Sequence, residues 1–399
     1  MNLVPAASDG AFQVLGMMSG TSGDGIDGAL VRFEADGRFA LEWHESAPFA
    51  PAVRARLQRL MNGGTIDDTA VAACWMAELY ADAVAAFLTA HPASRIDAIA
   101  AHGQTLAHIP QPLDWDGISV RATLQALNPS VLSQRTGLPV ISDFRARDMA
   151  VGGQGAPLVP LGDLRFFGPL ARRAGLVILN VGGIANVTVI RPGSAGPRVA
   201  AAFDTGPGNM LLDALVRDIT AGQEEYDRDG RLAASGVTDG RLLAQLLEDS
   251  YFRFPPPKST GRDRFGAAAY EAIRGGSGRT VTDADLASTL LDLTVNTIAD
   301  AIKRFVLPEG PLSLTLIAGG GALNGELRRR LAARLSGVSP LGISDEHGVP
   351  VQAREAMAFA ALGDAFLRGR PGNIPVATGA SAAVLLGSLT PANPIFPGP

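Results

Sequence analysis

The feature that most constrains this chain is a small, polar and acidic stretch, Gly16-Met17-Met18-Ser19-Gly20-Thr21-Ser22-Gly23-Asp24-Gly25-Ile26-Asp27-Gly28, set between two apolar runs, Val14-Leu15 and Ala29-Leu30-Val31-Arg32-Phe33. Short apolar runs bounded by turn residues read as strands, so the segment is a hairpin that carries its polar groups in the turn. Glycine lets a backbone fold tightly and approach a ligand, while Ser19, Thr21 and Ser22 offer hydroxyls and a run of amides suited to a phosphate. Asp24 and Asp27 sit badly beside a phosphate unless a cation lies between them, and hydrated Mg²⁺ is the natural partner, with Asp24 as its candidate ligand. The stretch is no Walker loop, because the terminal Gly-Lys-Ser/Thr and the following helix are missing. Taken alone, an ordinary glycine-rich turn is the better reading.

The rest of the chain changes the balance. At 399 residues it exceeds one typical core and suggests two domains. Leu176 to Val181, the turn Gly182-Gly183-Ile184-Ala185-Asn186, and Val187 to Ile190 repeat the plan of the first hairpin. One such hairpin in each half suggests two related domains facing each other across a nucleotide, although no repeat is visible at the level of residues. Helical spacing over Arg54 to Met61, Thr69 to His91 and Asp283 to Phe305, alternating with short apolar strands, makes the class α/β.

Polar clusters follow several of these strands, where open α/β sheets place ligand-binding groups. Ile96 to Ala101 ends in His102-Gly103-Gln104-Thr105, and Val140 to Arg145 is followed by Arg147-Asp148. The glycine-rich crossover Val151 to Leu158 is the expected domain boundary. Ala201-Ala202-Phe203 runs into Asp204-Thr205-Gly206-Pro207-Gly208-Asn209 ahead of a helix, which holds an acidic residue firmly at a strand end. Leu314 to Ala318 ends in Gly319-Gly320-Gly321, where bare backbone allows a flat group such as adenine to lie. Lys258-Ser259-Thr260-Gly261-Arg262 is the most polar loop of the second half; its cations either neutralise an anion or belong to an ordinary surface loop.

Composition excludes other classes. A net charge of -5 without long runs of either sign argues against nucleic acid or an anionic membrane as partner. A single cysteine, Cys74, permits no internal disulfide and points to a reducing, cytoplasmic setting, with a buried inert thiol as its expected state. Met1 to Gly10 resembles neither a signal peptide nor a transit sequence, and no unbroken apolar run is long enough to span a bilayer. His44, His91, His108 and His347 lack metal-ligand spacing. Pro391 to Pro399 is expected to be a loose tail.

Taken in order, the segments resemble the anhydro-N-acetylmuramic acid kinase family of the sugar kinase, Hsp70 and actin superfamily. The resemblance runs from about Val14 to Leu389 and rests on seven blocks: Met18 to Gly25, His102 to Thr105, Asp143-Phe144-Arg145 with Asp148, Gly152 to Leu158, Asn180 to Asn186, Asp204 to Asn209, and Lys258 to Arg262. Each block is weak alone; their order is specific. Departures are Gly23 where the family carries a larger residue, the Pro255 to Pro257 run, and extended ends.

The resemblance implies a two-domain actin-like ATPase fold with an interdomain active-site cleft. Residues 1–145 with 356–399 would carry the first phosphate hairpin, and 146–355 the second hairpin, the adenosine site and the catalytic aspartate. It implies an enzyme that uses ATP, Mg²⁺ and water to open the anhydro ring of 1,6-anhydro-N-acetylmuramate and phosphorylate O6, in cell-wall recycling. Asp204 would be the base, and Glu355 would help place water or sugar. Gly20, Thr21, Ser22, Gly23, Asp24, Gly25, Ile26 and Asp27 would hold ATP, with Gly182 and Gly183 opposite and Gly319, Gly320 and Gly321 on the adenosine side. His102, Gln104, Arg145, Asp148 and Asn186 fall to the substrate. Other readings stay open: His102 as a structural histidine, Arg145 and Asp148 as a salt bridge at the hinge, and Glu355 as a carboxylate settled by its helix dipole. A homodimer is implied by the resemblance alone. The rivals are an actin- or Hsp70-like nucleotide switch, for which no partner-binding segment is evident, and a kinase for another hexose or anhydrohexose.

Overall fold

The computed structural model describes residues 9–20, 23–276 and 281–392. Among the described residues thirteen strands run in chain order as β1 (Phe12–Met18), β2 (Gly25–Phe33), β3 (Phe39–Pro48), β4 (Ala98–Ala101), β5 (Gln104–Trp115), β6 (Ile118–Ala126), β7 (Val140–Ser142), β8 (Gly175–Val181), β9 (Ile184–Arg191), β10 (Arg198–Pro207), β11 (Leu312–Ala318), β12 (Leu341–Ile343) and β13 (Ser388–Thr390). They form two larger sheets, ordered β13-β7-β4-β1-β2-β3 and β10-β9-β8-β11-β12, and one ribbon, β5-β6.

The two sheets share one plan. In the first, β1, β2 and β3 form an antiparallel meander and β4 and β7 extend it in parallel from β1. In the second, β8, β9 and β10 form the meander and β11 and β12 extend it in parallel from β8. The duplication suggested by the two polar hairpins is therefore present in the strand order, and each hairpin turn stands at the same corner of its own sheet. Few residues need to match for this to hold, because strand order depends on apolar pattern and turn placement.

Residues 1–166 with 353–399 form one compact unit and 167–352 the other. In the first, Leu15, Met17 and Leu30 of the sheet pack with Met76, Tyr80 and Phe87 of the helix Ile66–Ala90. That helix begins with a capping box in which Thr65 and Asp68 satisfy each other's backbone amides. It is long and apolar enough to cross a membrane by length and composition, yet it carries four acidic residues and sends a continuous face into this core. The helix Arg354–Leu367 also packs on the sheet, and small residues let it lie close: a Cβ on Gly16 would sit 1.9 Å from Ala356 O. In the second unit Val177, Leu179 and Ile317 pack against Leu215, Leu290, Ile298 and Leu331 from flanking helices.

Three expectations are corrected. Residues 146–166, including the glycine-rich crossover, belong to the first unit, because Asp148 accepts hydrogen bonds from Asn373 (2.8 Å) and Thr378 (2.7 Å) and Asp163 pairs with Arg354. Glu355 lies in the first unit for the same reason. Cys74 is exposed, since its helix turns Ala72, Met76 and Ala77 inward and leaves position 74 on the outer face. The β5-β6 ribbon and β3 were not anticipated, although β6 and β3 each follow an Asp-Gly turn, Asp116-Gly117 and Asp36-Gly37; at the first both residues take positive φ, 53° and 83°, as a tight hairpin requires.

Candidate active site

In the first unit the candidate residues gather around the β1-β2 turn. Ser19 donates to Gln104 Oε1 at 2.7 Å, and Gln104 Nε2 donates to Gly20 O at 3.1 Å; both side chains are buried. Gln104 thus braces the turn from beneath. Gly23 donates to Gly20 O at 3.0 Å and takes a left-handed φ of +62°, which closes the turn and favours glycine. Thr21 and Ser22 lie outside the described residues. Ile26 points into the core, so only its backbone can face a ligand, while Asp24 is exposed.

Carboxylates crowd the same corner. Asp27 accepts a hydrogen bond from Ser46 at 2.6 Å, and its pKa is raised first by burial, with the nearby charge of Asp24 adding to that. Glu355, in the first turn of its helix, is raised by burial, with Asp27 and Asp24 repelling its charge and Arg354 and Arg145 favouring it. Among the described residues no three acidic, His or Cys side chains converge closely enough to cage a metal. Mg²⁺ needs no such cage, since it is commonly held by one or two carboxylates, phosphate and water. Mutually repelling Asp24 and Asp27 beside an amide-rich turn fit that mode.

His102 is buried against Phe359. Arg145 Nε donates to its Nε2 at 2.8 Å, so the ring proton is on Nδ1, which donates to Gly103 O at 2.9 Å. Burial, with Arg145 beside it, holds the imidazole pKa well below its usual range and the ring neutral. Arg145 also donates to Gly155 O at 2.6 Å and is pushed down to about 10 by burial. His102 and Gly155 therefore orient the guanidinium. Asp148 is fully buried and accepts from Gly155 N at 2.8 Å as well as from Asn373 and Thr378, a geometry that fastens the crossover. Asp143, at the end of β7, takes a positive φ of 57°, a conformation that Asp tolerates better than most residues.

The second unit holds Asp204. It sits near the end of β10, opposite Asn186 of β9, at a register shift that leaves Thr205 as the extra residue. A bulge of this kind re-aims the side chains beside it. Thr260 N donates to Asp204 Oδ2 at 2.9 Å, Tyr251 Oη donates to Asp204 O at 2.9 Å, and Asp204 N donates to Lys258 O at 3.1 Å. Burial pushes the carboxyl up to about 6, against the Thr260 amide and the Lys258 charge. A carboxylate tuned to that range is ionised at neutral pH and basic enough to take a proton.

The glycine turns of this unit differ in what they require. Gly183 O accepts from Gly208 N (2.9 Å) and Gly182 O from Asn209 N (2.8 Å), so the turn is stitched to the start of the helix Met210–Ile219. Gly319 has φ +76°, and a Cβ on Gly321 would meet Val181 Cγ1 at 2.5 Å, so fold alone demands glycine at both. Added Cβ atoms on Gly182 and Gly320 would find nothing nearer than 3.8 and 3.9 Å. Their bareness is thus unexplained by packing and leaves backbone open to a ligand. One residue no pattern announced is Asp213, a turn into that helix, pushed up to about 7 by burial against the pull of Arg217.

Two α/β halves with one strand order, each presenting a glycine turn beside recessed carboxylates, define the sugar kinase, Hsp70 and actin class of fold. The model of the anhydro-N-acetylmuramic acid kinase family matches residues 12–392. The anhydro-N-acetylmuramic acid kinase of Salinibacter ruber is 41% identical, over 97% of this chain and 96% of its own. That of Ralstonia nicotianae is 43% identical, over 97% and 99%. Among solved structures, an activator of 2-hydroxyisocaproyl-CoA dehydratase from Clostridium difficile with bound ADPNP covers 90% of this chain and 96% of its own, at 12% identity and a TM-score of 0.43. The chain belongs to the anhydro-N-acetylmuramic acid kinase family.

Proposed function

We propose that this protein uses ATP to convert 1,6-anhydro-N-acetylmuramate and water to N-acetylmuramate 6-phosphate and ADP. Asp204 takes a proton from water as the water oxygen bonds to the anomeric carbon and the bond from that carbon to O6 breaks. O6 bonds to the γ-phosphorus, the bond to the β,γ-bridging oxygen breaks, and ADP leaves; the water proton is then released from Asp204 to solvent. The observation that carries this reading is the Asp204 carboxylate, fixed at a bulge by the Thr260 amide and tuned by burial to about 6. Glu355, also recessed, helps orient water or sugar, and Arg145, oriented by His102 and Gly155, suits an anionic group of the substrate.

The Gly20 to Asp27 turn and the Gly182-Gly183 turn take nucleotide phosphates, and Gly320 takes the adenine side. Asp24, with Asp27 behind it, would hold Mg²⁺, whose charge offsets that developing on the transferred phosphoryl group. Gln104 and Asp148 act on this site by bracing its loops, and Asn186 by standing across from Asp204. A cytoplasmic location and a homodimer complete the proposal.

The test is incubation with ATP, Mg²⁺ and 1,6-anhydro-N-acetylmuramate in ¹⁸O water. Label at the anomeric oxygen and none in the phosphate is expected; label in the phosphate, or ADP release independent of the sugar, overturns the route. The adenine assignment has its own check. Gly320→Ala has room for its methyl group, so stability should change by less than about 0.5 kcal/mol while nucleotide affinity falls about tenfold. Gly321→Ala meets Val181 and should lose roughly 1–3 kcal/mol. Calorimetric titration with ATP showing parental affinity for Gly320→Ala would remove adenine from that backbone.

A further inference from the structure

Lys258 has an unusual seat for a cation. Its Nζ donates to Tyr251 O at 3.2 Å and lies 4.6 Å from the centre of the Tyr251 ring and 5.1 Å from that of Phe305. An ammonium has three donors, and here one is spent on a carbonyl while two ring faces flank the half-buried group. Such a cation is ill placed to reach out to an anionic ligand. It is well placed to hold a loop, because the same residue accepts from Asp204 N through its carbonyl, and Thr260, two positions on, donates to the Asp204 carboxylate. Tyr251 closes the circuit by donating its hydroxyl to Asp204 O.

We infer that Lys258 is a positioning residue for Asp204: its ammonium, held on Tyr251 and Phe305, supplies a fixed positive charge within reach of the carboxylate and anchors the 258–260 strap that hydrogen-bonds it. This rests on the proposed role of Asp204 as the base and deepens it. Among the described residues, the charged groups around the pair include Arg264 with its ion-pair partner Asp249, and Arg304. Arg264 lies over the Tyr251 ring at 5.5 Å, and Arg304 lies over the Phe305 ring at 5.9 Å and opposes the Lys258 charge. Burial, with Arg304, lowers the Lys258 ammonium to about 8, so it is charged throughout the range in which Asp204 ionises. Its charge favours the ionised carboxylate. Removing it must make Asp204 harder to ionise and move the acid limb of the rate profile upward.

The experiment compares the parent, Lys258→Met and Lys258→Arg in kcat/KM from pH 5 to 9. Lys258→Met keeps the apolar stem and is expected to move the acid half-point up by about one pH unit, with the loss largest below pH 6.5 and the KM for ATP unchanged. Lys258→Arg keeps the charge and should restore the parental half-point. ¹³C NMR titration of the Asp204 carboxyl, assigned against Asp204→Asn, reads the same displacement without catalysis. A Lys258→Met half-point coincident with the parent's in that titration overturns the inference, whatever the rates do. If Asp204→Asn retains turnover, the base assignment falls separately, and the carboxyl titration still decides whether Lys258 acts on Asp204.

Discussion

Asp204→Asn is expected to lose roughly 10²–10⁴-fold in turnover while binding ATP as the parent does, because a positioned base contributes about that much and the near-isosteric amide has neither the charge nor the basicity to take a proton. The amide oxygen can still accept from Thr260 N, so the strap stays in place. Steady-state rates within a few-fold of the parent would remove Asp204 from the chemistry. The same substitution carries an opposite prediction for stability. A carboxyl raised from 3.8 to about 6 on folding is disfavoured as an anion by about 3 kcal/mol. The folded state binds the proton more tightly than the unfolded chain, so this penalty is absent below about pH 4, grows as pH rises through 6, and is complete above it. Asp204→Asn should therefore melt higher than the parent at pH 8 and match it at pH 4. Activity in the parent should fall as pH drops below about 6, since the base is then protonated.

Asp163→Ala should cost roughly 3–5 kcal/mol in the first unit, the range for breaking one side of a buried ion pair. Asp163 is fully buried and Arg354 nearly so, and the pair is bidentate: Nε to Oδ1 at 2.9 Å and Nη2 to Oδ2 at 2.6 Å. Without Asp163 the buried Arg354 guanidinium loses its bidentate partner at the start of the helix that carries Glu355. Urea unfolding of the first unit's transition, read by an intrinsic probe such as Trp43, measures the loss. Asp163→Leu with Arg354→Met together should recover much of it, because two apolar residues carry no desolvation cost. A single variant that unfolds within 1 kcal/mol of the parent would show that the pair is not held as described. The pair fixes the backbone from which Glu355, the residue after Arg354, projects.

These two residues also mark how far the sequence could be read. The placement of Asp204 at a strand end was legible because its setting is local: an apolar strand, an acidic residue and a Gly-Pro turn ahead of a helix lie within ten positions. Asp163 was not, since its partner is 191 residues away and nothing in its neighbourhood announces a buried charge. Gln104 and Asp148 likewise have partners that no local pattern announced. Both sit in polar clusters after strands and read as ligand contacts, while in the fold Gln104 spends its amide on Ser19 and Gly20 and Asp148 its carboxylate on Gly155, Asn373 and Thr378. His102, for which a structural role stood open, proves to be a neutral acceptor that aims Arg145.

What the residues determined by themselves were the elements and their turns. Apolar period and glycine placement act over a few positions, and they specify two hairpins, the helices around them, and the strand end that bears Asp204. What only the tertiary structure decided was which polar groups remain free for chemistry. A side chain's availability depends on partners brought in from distant chain, such as Thr378 reaching Asp148 across 230 positions, and on the burial those partners create. Burial raised the Asp204 and Glu355 carboxyls and lowered the Lys258 ammonium, and none of these shifts can exist until the surrounding chain has excluded water.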